Sequence, residues 1–132
     1  MPPIDWIAVL VAAVVSFAIG GIWYSPLLFT KVWIRESGVN VERGKNASMP
    51  LIMGSAFALI FLATVVFALF LGPQPGLQFG AGAGFAAGLF WVAGSFGVNY
   101  LFEQRSFKLF LINGGYNVVM FTAMGAILGV MS

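Results

Sequence analysis

The sequence predicts an all-α membrane protein: a bundle of four transmembrane helices with both chain termini outside the cytoplasm. Of its 132 residues, 61% are hydrophobic and only 8% are charged, whereas soluble domains carry about 25% charged residues. The apolar residues form four long stretches, and a helix needs about 20 such residues to cross a membrane. All six Lys and Arg residues lie in the first and third connections or beside them. Basic loops stay in the cytoplasm, so both termini are predicted to lie outside.

The first two predicted spans are separated by the longest polar segment of the chain. The first covers about residues 4–26 and ends where Pro26 disfavours a helical conformation at Ser25. The polar residues of 27–49 follow, and the second span covers 50–71. None of the stretches alternates strictly between apolar and polar residues, so they are predicted to be helices and not barrel strands.

The last two predicted spans are joined by short connections. The helix-breaking residues 72–76 separate the second span from the third, which covers 79–101. A four-residue polar turn precedes the fourth span, at 107–131. The whole chain, residues 1–132, is therefore predicted to form a single integral membrane domain.

The composition excludes several kinds of chemistry. The chain has no Cys and no His, and it has only four carboxylates. Histidine is the commonest acid–base group at neutral pH and the commonest metal ligand, and cysteine is the other main ligand for zinc. We therefore expect no catalytic site, no metal and no cofactor. The basic residues flank apolar helices, so they indicate membrane topology and no nucleic acid is expected as a partner.

A motif of unusual composition ends the first span. Trp23, Tyr24, Ser25 and Pro26 follow Gly20, and aromatic rings of this kind favour the membrane–water interface. A small pocket facing the cytoplasm is the alternative interpretation. With Phe29 and Trp33 the motif resembles domain-of-unknown-function family 1761. The resemblance implies a small four-helix protein of the bacterial cytoplasmic (inner) membrane, crossing it several times, and implies no catalytic residues.

Small residues recur at four-residue spacing in three of the spans. Such spacing lets helix backbones approach closely in lipid. We predict that the following residues pack helices together: Ala12, Gly20, Gly80, Gly84, Gly88, Gly125 and Gly129. We also predict self-association of the chain through the small-residue face of the first or third span. A glycine-lined solute path is the alternative.

Polar side chains lie deep in the fourth span. Asn113, Tyr116 and Asn117 share one helix face, and Asn117 and Ser16 are predicted to lie at similar depth near the midplane. Polar groups in hydrocarbon need partners, so we expect these residues to form hydrogen bonds between helices, or else to line a path for a small solute.

Three function classes follow from these patterns. The favoured hypothesis is a non-enzymatic helical bundle that forms homo-oligomers in the lipid bilayer and has a structural or accessory role. The alternative is a channel or transporter for a small solute, with its polar path near Asn113, Tyr116 and Asn117. An intramembrane enzyme acting on lipid is least favoured, because no nucleophile has a histidine beside it.

Overall fold

Helices make up nearly all of the described part of the chain. The computed structural model describes residues 4–24, 30–37, 49–72 and 74–131. Its helices are α1 (Trp6–Trp23), α2 (Thr30–Ser37), α3 (Met49–Leu71), α4 (Leu77–Glu103) and α5 (Phe107–Met131). Four of them, α1, α3, α4 and α5, are long and apolar enough to cross a membrane, and no described residue lies in a strand. The prediction of an all-α, four-span membrane protein is confirmed.

Hydrogen bonds from side chains and backbone groups cap the ends of several helices. The Asp5 carboxylate accepts a hydrogen bond of 3.1 Å from the Ala8 backbone N–H and caps α1. At the end of α4, Gln104 adopts the left-handed conformation with φ of 58°, and the Arg105 N–H donates to the Tyr100 carbonyl at 2.9 Å. This pairing is a Schellman-type stop. The Ser106 hydroxyl then accepts from the Leu109 N–H at 3.1 Å and starts α5.

A ladder of small residues packs α4 against α5 as an antiparallel hairpin. A Cβ atom added at Gly80 would overlap the carbonyl oxygen of Gly125, and one at Gly84 would overlap the carbonyl oxygen of Phe121. At the turn end of the hairpin, a Cβ at Gly129 would overlap the carbonyl oxygen of Gly76. The glycines are therefore required for contact within one chain. The expectation that the third-span glycines offer a free groove for a second copy is wrong, because α5 fills that groove.

The ladder changes its spacing in the middle of α4. Gly80, Gly84 and Gly88 follow in steps of four, and Ala93 and Gly97 continue the same face after one step of five. Added Cβ atoms confirm the continuation, because one at Gly97 would lie 3.2 Å from Phe110. The helix is π-helical over Ala87–Ala93. A π turn accommodates one extra residue, so the wide turn keeps both halves of the ladder on α5.

The remaining helices are arranged around α5. Its opposite side packs on α1, and α3 packs mainly on α1, with the Phe17 and Phe57 rings edge-to-face at 5.7 Å. The buried hydrophobic core comprises Ala8, Val9, Ala12, Phe67, Leu71, Met120, Met124 and Leu128. α3 and α4 stand apart and leave an apolar groove of about 770 Å³, with Phe121 on its floor. The four spans therefore form an open bundle, and α4 keeps one uncovered side.

A short amphipathic helix, α2, occupies part of the connection that the sequence analysis treated as a polar loop. Its Val32, Trp33 and Ile34 are partly buried, whereas Lys31 and Arg35 are exposed. This division is typical of a helix lying at a membrane surface. We call the end of the bundle that carries α2 and the α4–α5 turn the basic end, because Lys31, Arg35, Arg105 and Lys108 lie there.

Candidate functional site

The indole of Trp23, the last residue of α1, bonds to α5 near the basic end of the bundle. Its Nε1–H donates a hydrogen bond of 2.9 Å to the carbonyl oxygen of Ile112. The ring lies against Gly115, where an added Cβ would come within 3.2 Å of the indole. A glycine at this position therefore lets the large ring reach the helix backbone.

The side-chain amide of Asn113 links two tyrosines from two other helices. The Tyr24 hydroxyl donates to the Asn113 Oδ1 at 2.6 Å, and the Asn113 Nδ2 donates to the Tyr100 hydroxyl at 2.7 Å. Tyr24 follows α1, Tyr100 belongs to α4 and Asn113 belongs to α5. One amide therefore fastens three spans about 9 Å inside the start of α5, at 1.5 Å per residue.

Tyr116 completes the cluster through ring contacts. Its ring centroid lies 5.5 Å from that of Tyr24 and 6.5 Å from that of Trp23. An added Cβ at Gly20 would lie 2.9 Å from the Tyr116 hydroxyl oxygen, so this glycine makes room for the phenol. Trp33 of α2 packs edge-to-face on Tyr24 with centroids 5.6 Å apart.

We call the set Trp23, Tyr24, Tyr100, Asn113 and Tyr116 the aromatic clasp. The motif at the end of the first span and the polar residues of the fourth span are two separate features of the sequence, and the structure brings them together. Ser25 and Pro26 of the motif lie outside the described residues.

Tyr100 is the member of the clasp that the sequence analysis missed. The signal that could have found it is the ladder of α4, because Tyr100 follows Ala93 and Gly97 on the face that packs against α5. Its neighbour Asn99, also polar, is exposed. Which of Asn99 and Tyr100 faces α5 depends on the π turn, because the extra residue in that turn shifts the face of α4 that packs against α5.

The deeper polar residues do not pair with one another. Ser16 is fully buried, and its hydroxyl has no hydrogen-bond partner in the described structure. Asn117 is partly buried and donates from its Nδ2 to the carbonyl oxygen of Asn113 in its own helix, at 2.9 Å. Within the described residues, neither Asn117 nor Ser16 therefore forms the expected hydrogen bond to another helix. The Asn117 amide instead bonds within its own helix. The Thr122 hydroxyl does the same, because it donates to the Val118 carbonyl at 2.7 Å.

A charged side chain at the basic end links α2 to the turn between α4 and α5. The Arg105 guanidinium donates to the Ser37 carbonyl oxygen at 2.6 Å, which ties α2 to the α4–α5 turn. The Nε of Arg105 also lies 3.6 Å from a Glu103 carboxylate oxygen. Both side chains are about half exposed, so this ion pair adds little to stability.

The clasp supplies hydroxyl, amide and indole groups that bind one another. Neutral phenols and amides are weak acids and bases at physiological pH. Within the described ranges, no group of three or more acidic, histidine or cysteine side chains is placed to hold a metal ion. The arrangement is suited to fastening helices at a membrane interface, where Trp and Tyr combine apolar packing with hydrogen bonding.

Comparison with known proteins identifies a family for the chain. The family described as "Protein of unknown function (DUF1761)" matches residues 7–129. The chain belongs to this family. The match includes every member of the aromatic clasp and all four spans, apart from the first residue of α1 and the last two residues of α5. Neither the curated proteins nor the solved structures contain a match to the chain.

Proposed function

We propose that this protein is a non-enzymatic helical bundle of the bacterial cytoplasmic membrane, with a structural or accessory role exerted as a homo-oligomer. The aromatic clasp is the observation that carries the proposal. Its Asn113 amide is engaged on both its oxygen and its nitrogen by tyrosines of neighbouring spans. Polar groups used in this way hold helices together and are not free to bind a solute.

The composition supports a role without catalysis. The chain has neither His nor Cys, and the carboxylates of Asp5 and Glu103 lie at opposite ends of the bundle. A hydroxyl nucleophile needs an adjacent base. The Ser95 hydroxyl instead donates to the Trp91 carbonyl of its own helix, at 2.5 Å.

A homo-oligomer is supported by the surface that the bundle leaves open. α3 and α4 stand apart, and α4 presents polar side chains on the side away from α5. Helices associate in lipid through close packing and hydrogen bonds, because burial of apolar surface brings no gain there. An uncovered polar helix face is therefore a reason for further association.

The oligomeric state can be measured directly in lipid. Purified, fluorophore-labelled protein is reconstituted into liposomes at low density, and the bleaching steps of single spots are counted. We expect two or more steps per spot, in excess of random co-occupancy. Single steps at every protein density would contradict the homo-oligomer.

A permeability assay on the same liposomes tests the alternative of a solute path near Asn113, Tyr116 and Asn117. We expect glycerol and urea to cross these membranes no faster than protein-free ones, because the Asn113 amide is already bonded on its oxygen and its nitrogen. Faster flux that disappears in Asn113→Leu, with the fold retained, would overturn the structural role.

A further inference from the structure

Three side chains form a polar stripe on α4: Trp91, Ser95 and Asn99. They follow one another at intervals of four residues, and all three are exposed, Trp91 to 67%. The α5-facing ladder of the same helix passes through Gly88, Ala93 and Gly97, so the stripe lies outside that contact. In a single copy of the chain Ser95 and Asn99 would face outward from the bundle, and Trp91 lines the apolar groove between α3 and α4.

The stripe holds hydrogen-bonding groups that the described residues do not satisfy. Neither the indole N–H of Trp91 nor the amide of Asn99 makes a hydrogen bond to a described residue. Asn99 lies four residues inside the end of α4 at Glu103, which is about 6 Å. Trp91 is close to the middle of the helix, whereas tryptophan favours the membrane interface. Hydrocarbon offers no partner to the indole N–H of Trp91, so this exposure is unfavourable. α4 is about 40 Å long and the hydrocarbon core about 30 Å thick, so the Asn99 amide lies at the edge of the hydrocarbon, where in a single chain it would depend on water or a headgroup as its partner.

We propose that a second copy of the chain covers the polar stripe, with the two α4 helices packed across a two-fold axis along the membrane normal. This inference rests on the proposed homo-oligomer and assigns its interface. In such a symmetric contact, each residue meets its own equivalent. An amide both donates and accepts, so Asn99 can pair with Asn99 of the partner subunit. Ser95, between the two larger side chains, is small enough to let the helices approach closely.

A lipid chain is a poorer occupant of the same surface. An acyl chain would fill space beside Trp91 and Ser95 but would leave the amide of Asn99 and the indole N–H as they are in the single chain. The second copy brings an amide to the depth of Asn99, because its stripe lies at the same height in the membrane, and this amide can both donate to and accept from Asn99. Hydrogen bonding therefore favours protein over lipid here.

Cysteine cross-linking in native membranes tests the contact. The chain contains no Cys, so each variant has a single thiol. Ser95→Cys is predicted to form a covalent dimer on mild oxidation. Val14→Cys is the matched control, because Val14 is exposed on α1 at similar depth, about 14 Å from its end against about 12 Å for Ser95. We expect this control to remain monomeric.

Substitutions in the stripe give an independent readout. Asn99→Leu and Ser95→Leu are each expected to raise the dimer dissociation constant in liposomes at least about tenfold, a factor that corresponds to about 1.4 kcal/mol. Asn99→Gln keeps the amide and is expected to retain most of the dimer. Ala18→Leu places the same bulk on an exposed position of α1 and should leave the constant unchanged.

The outcomes separate the interface from the oligomer itself. If the wild type is oligomeric but Ser95→Cys does not cross-link and Asn99→Leu has no effect, the interface is wrong and the homo-oligomer stands. If the wild type is monomeric in bilayers, with or without retained lipid, both proposals are overturned. Selective cross-linking at Ser95 together with weakening by Asn99→Leu supports both.

Discussion

Asn113 takes part in both of the described hydrogen bonds that join side chains of different spans. Its amide bonds to Tyr24 and Tyr100, and its backbone carbonyl accepts from Asn117. Hydrogen bonds between membrane helices contribute about 0.6 kcal/mol each on average. The side chain is therefore a larger stabilising element than any other single polar group described in the spans, because it serves two helices at once.

Removing this amide should destabilise the bundle measurably. Asn113→Leu breaks both cross-helix bonds and leaves two tyrosine hydroxyls without their partner, so we expect a loss of about 1–2 kcal/mol in the free energy of unfolding. Reversible unfolding in mixed micelles measures it. Asn117→Leu is the control, because its amide bonds within its own helix, and we expect a change within about 0.5 kcal/mol. Equal effects of the two substitutions would contradict the clasp.

Sequence reasoning identified most of the clasp but not its connections. Trp23, Tyr24, Asn113 and Tyr116 were recognisable because aromatic and amide side chains are unusual within or beside an apolar span. Their partners depend on how α1 and α4 cross α5, and periodicity along one helix does not contain that information. For the same reason Asn117 was expected to form a hydrogen bond to another helix, although its Nδ2 donates to a carbonyl four residues away in its own helix.

At the scale of elements, the α4–α5 hairpin depends on backbone contact. Gly84 packs against the carbonyl of Phe121, and overpacking costs typically about 1–3 kcal/mol even where side chains can adjust. Gly84→Leu is therefore expected to unfold or aggregate the chain, as judged by thermal stability in detergent. Gly82→Leu is the matched control in the same helix, because an added Cβ there meets nothing within 4 Å. A stable, monodisperse Gly84→Leu protein would contradict the hairpin packing.

The π turn makes a second prediction about α4. Deleting Phe90, an exposed residue within Ala87–Ala93, would turn the five-residue step of the ladder into a step of four and should give a continuous α-helix. We expect this deletion to retain the fold and most of the thermal stability. Deleting the exposed Phe85 would shorten the spacing between Gly84 and Gly88 from four residues to three. The two glycines would then no longer face α5 together, so this deletion should prevent folding. If the Phe85 deletion folded and the Phe90 deletion did not, the extra residue would not lie in the π turn.

At the scale of the whole molecule, composition predicts the spans well and their arrangement poorly. Each of the four apolar stretches corresponds to one helix, because length and hydropathy suffice to recognise a membrane span. The position of α5 between α1 and α4, and the separation of α3 from α4, follow from which small residues meet. Small residues on any helix look alike in the sequence. The glycines of α4 were predicted to pack helices, which they do against α5, but they were also expected to allow self-association, and α5 leaves no room for that.

The most direct test of the account is the location of the two turns of the bundle. The central claim is a four-span membrane protein whose basic end faces the cytoplasm. Gln74 and Gln104 lie in the opposite turns, are both exposed and both have positive φ, so Gln74→Cys and Gln104→Cys are a matched pair in this cysteine-free chain. With a membrane-impermeant maleimide on intact cells, we predict labelling of Gln74→Cys at once and of Gln104→Cys only after lysis. Labelling of Gln104→Cys in intact cells, or of both at equal rates, would contradict the account.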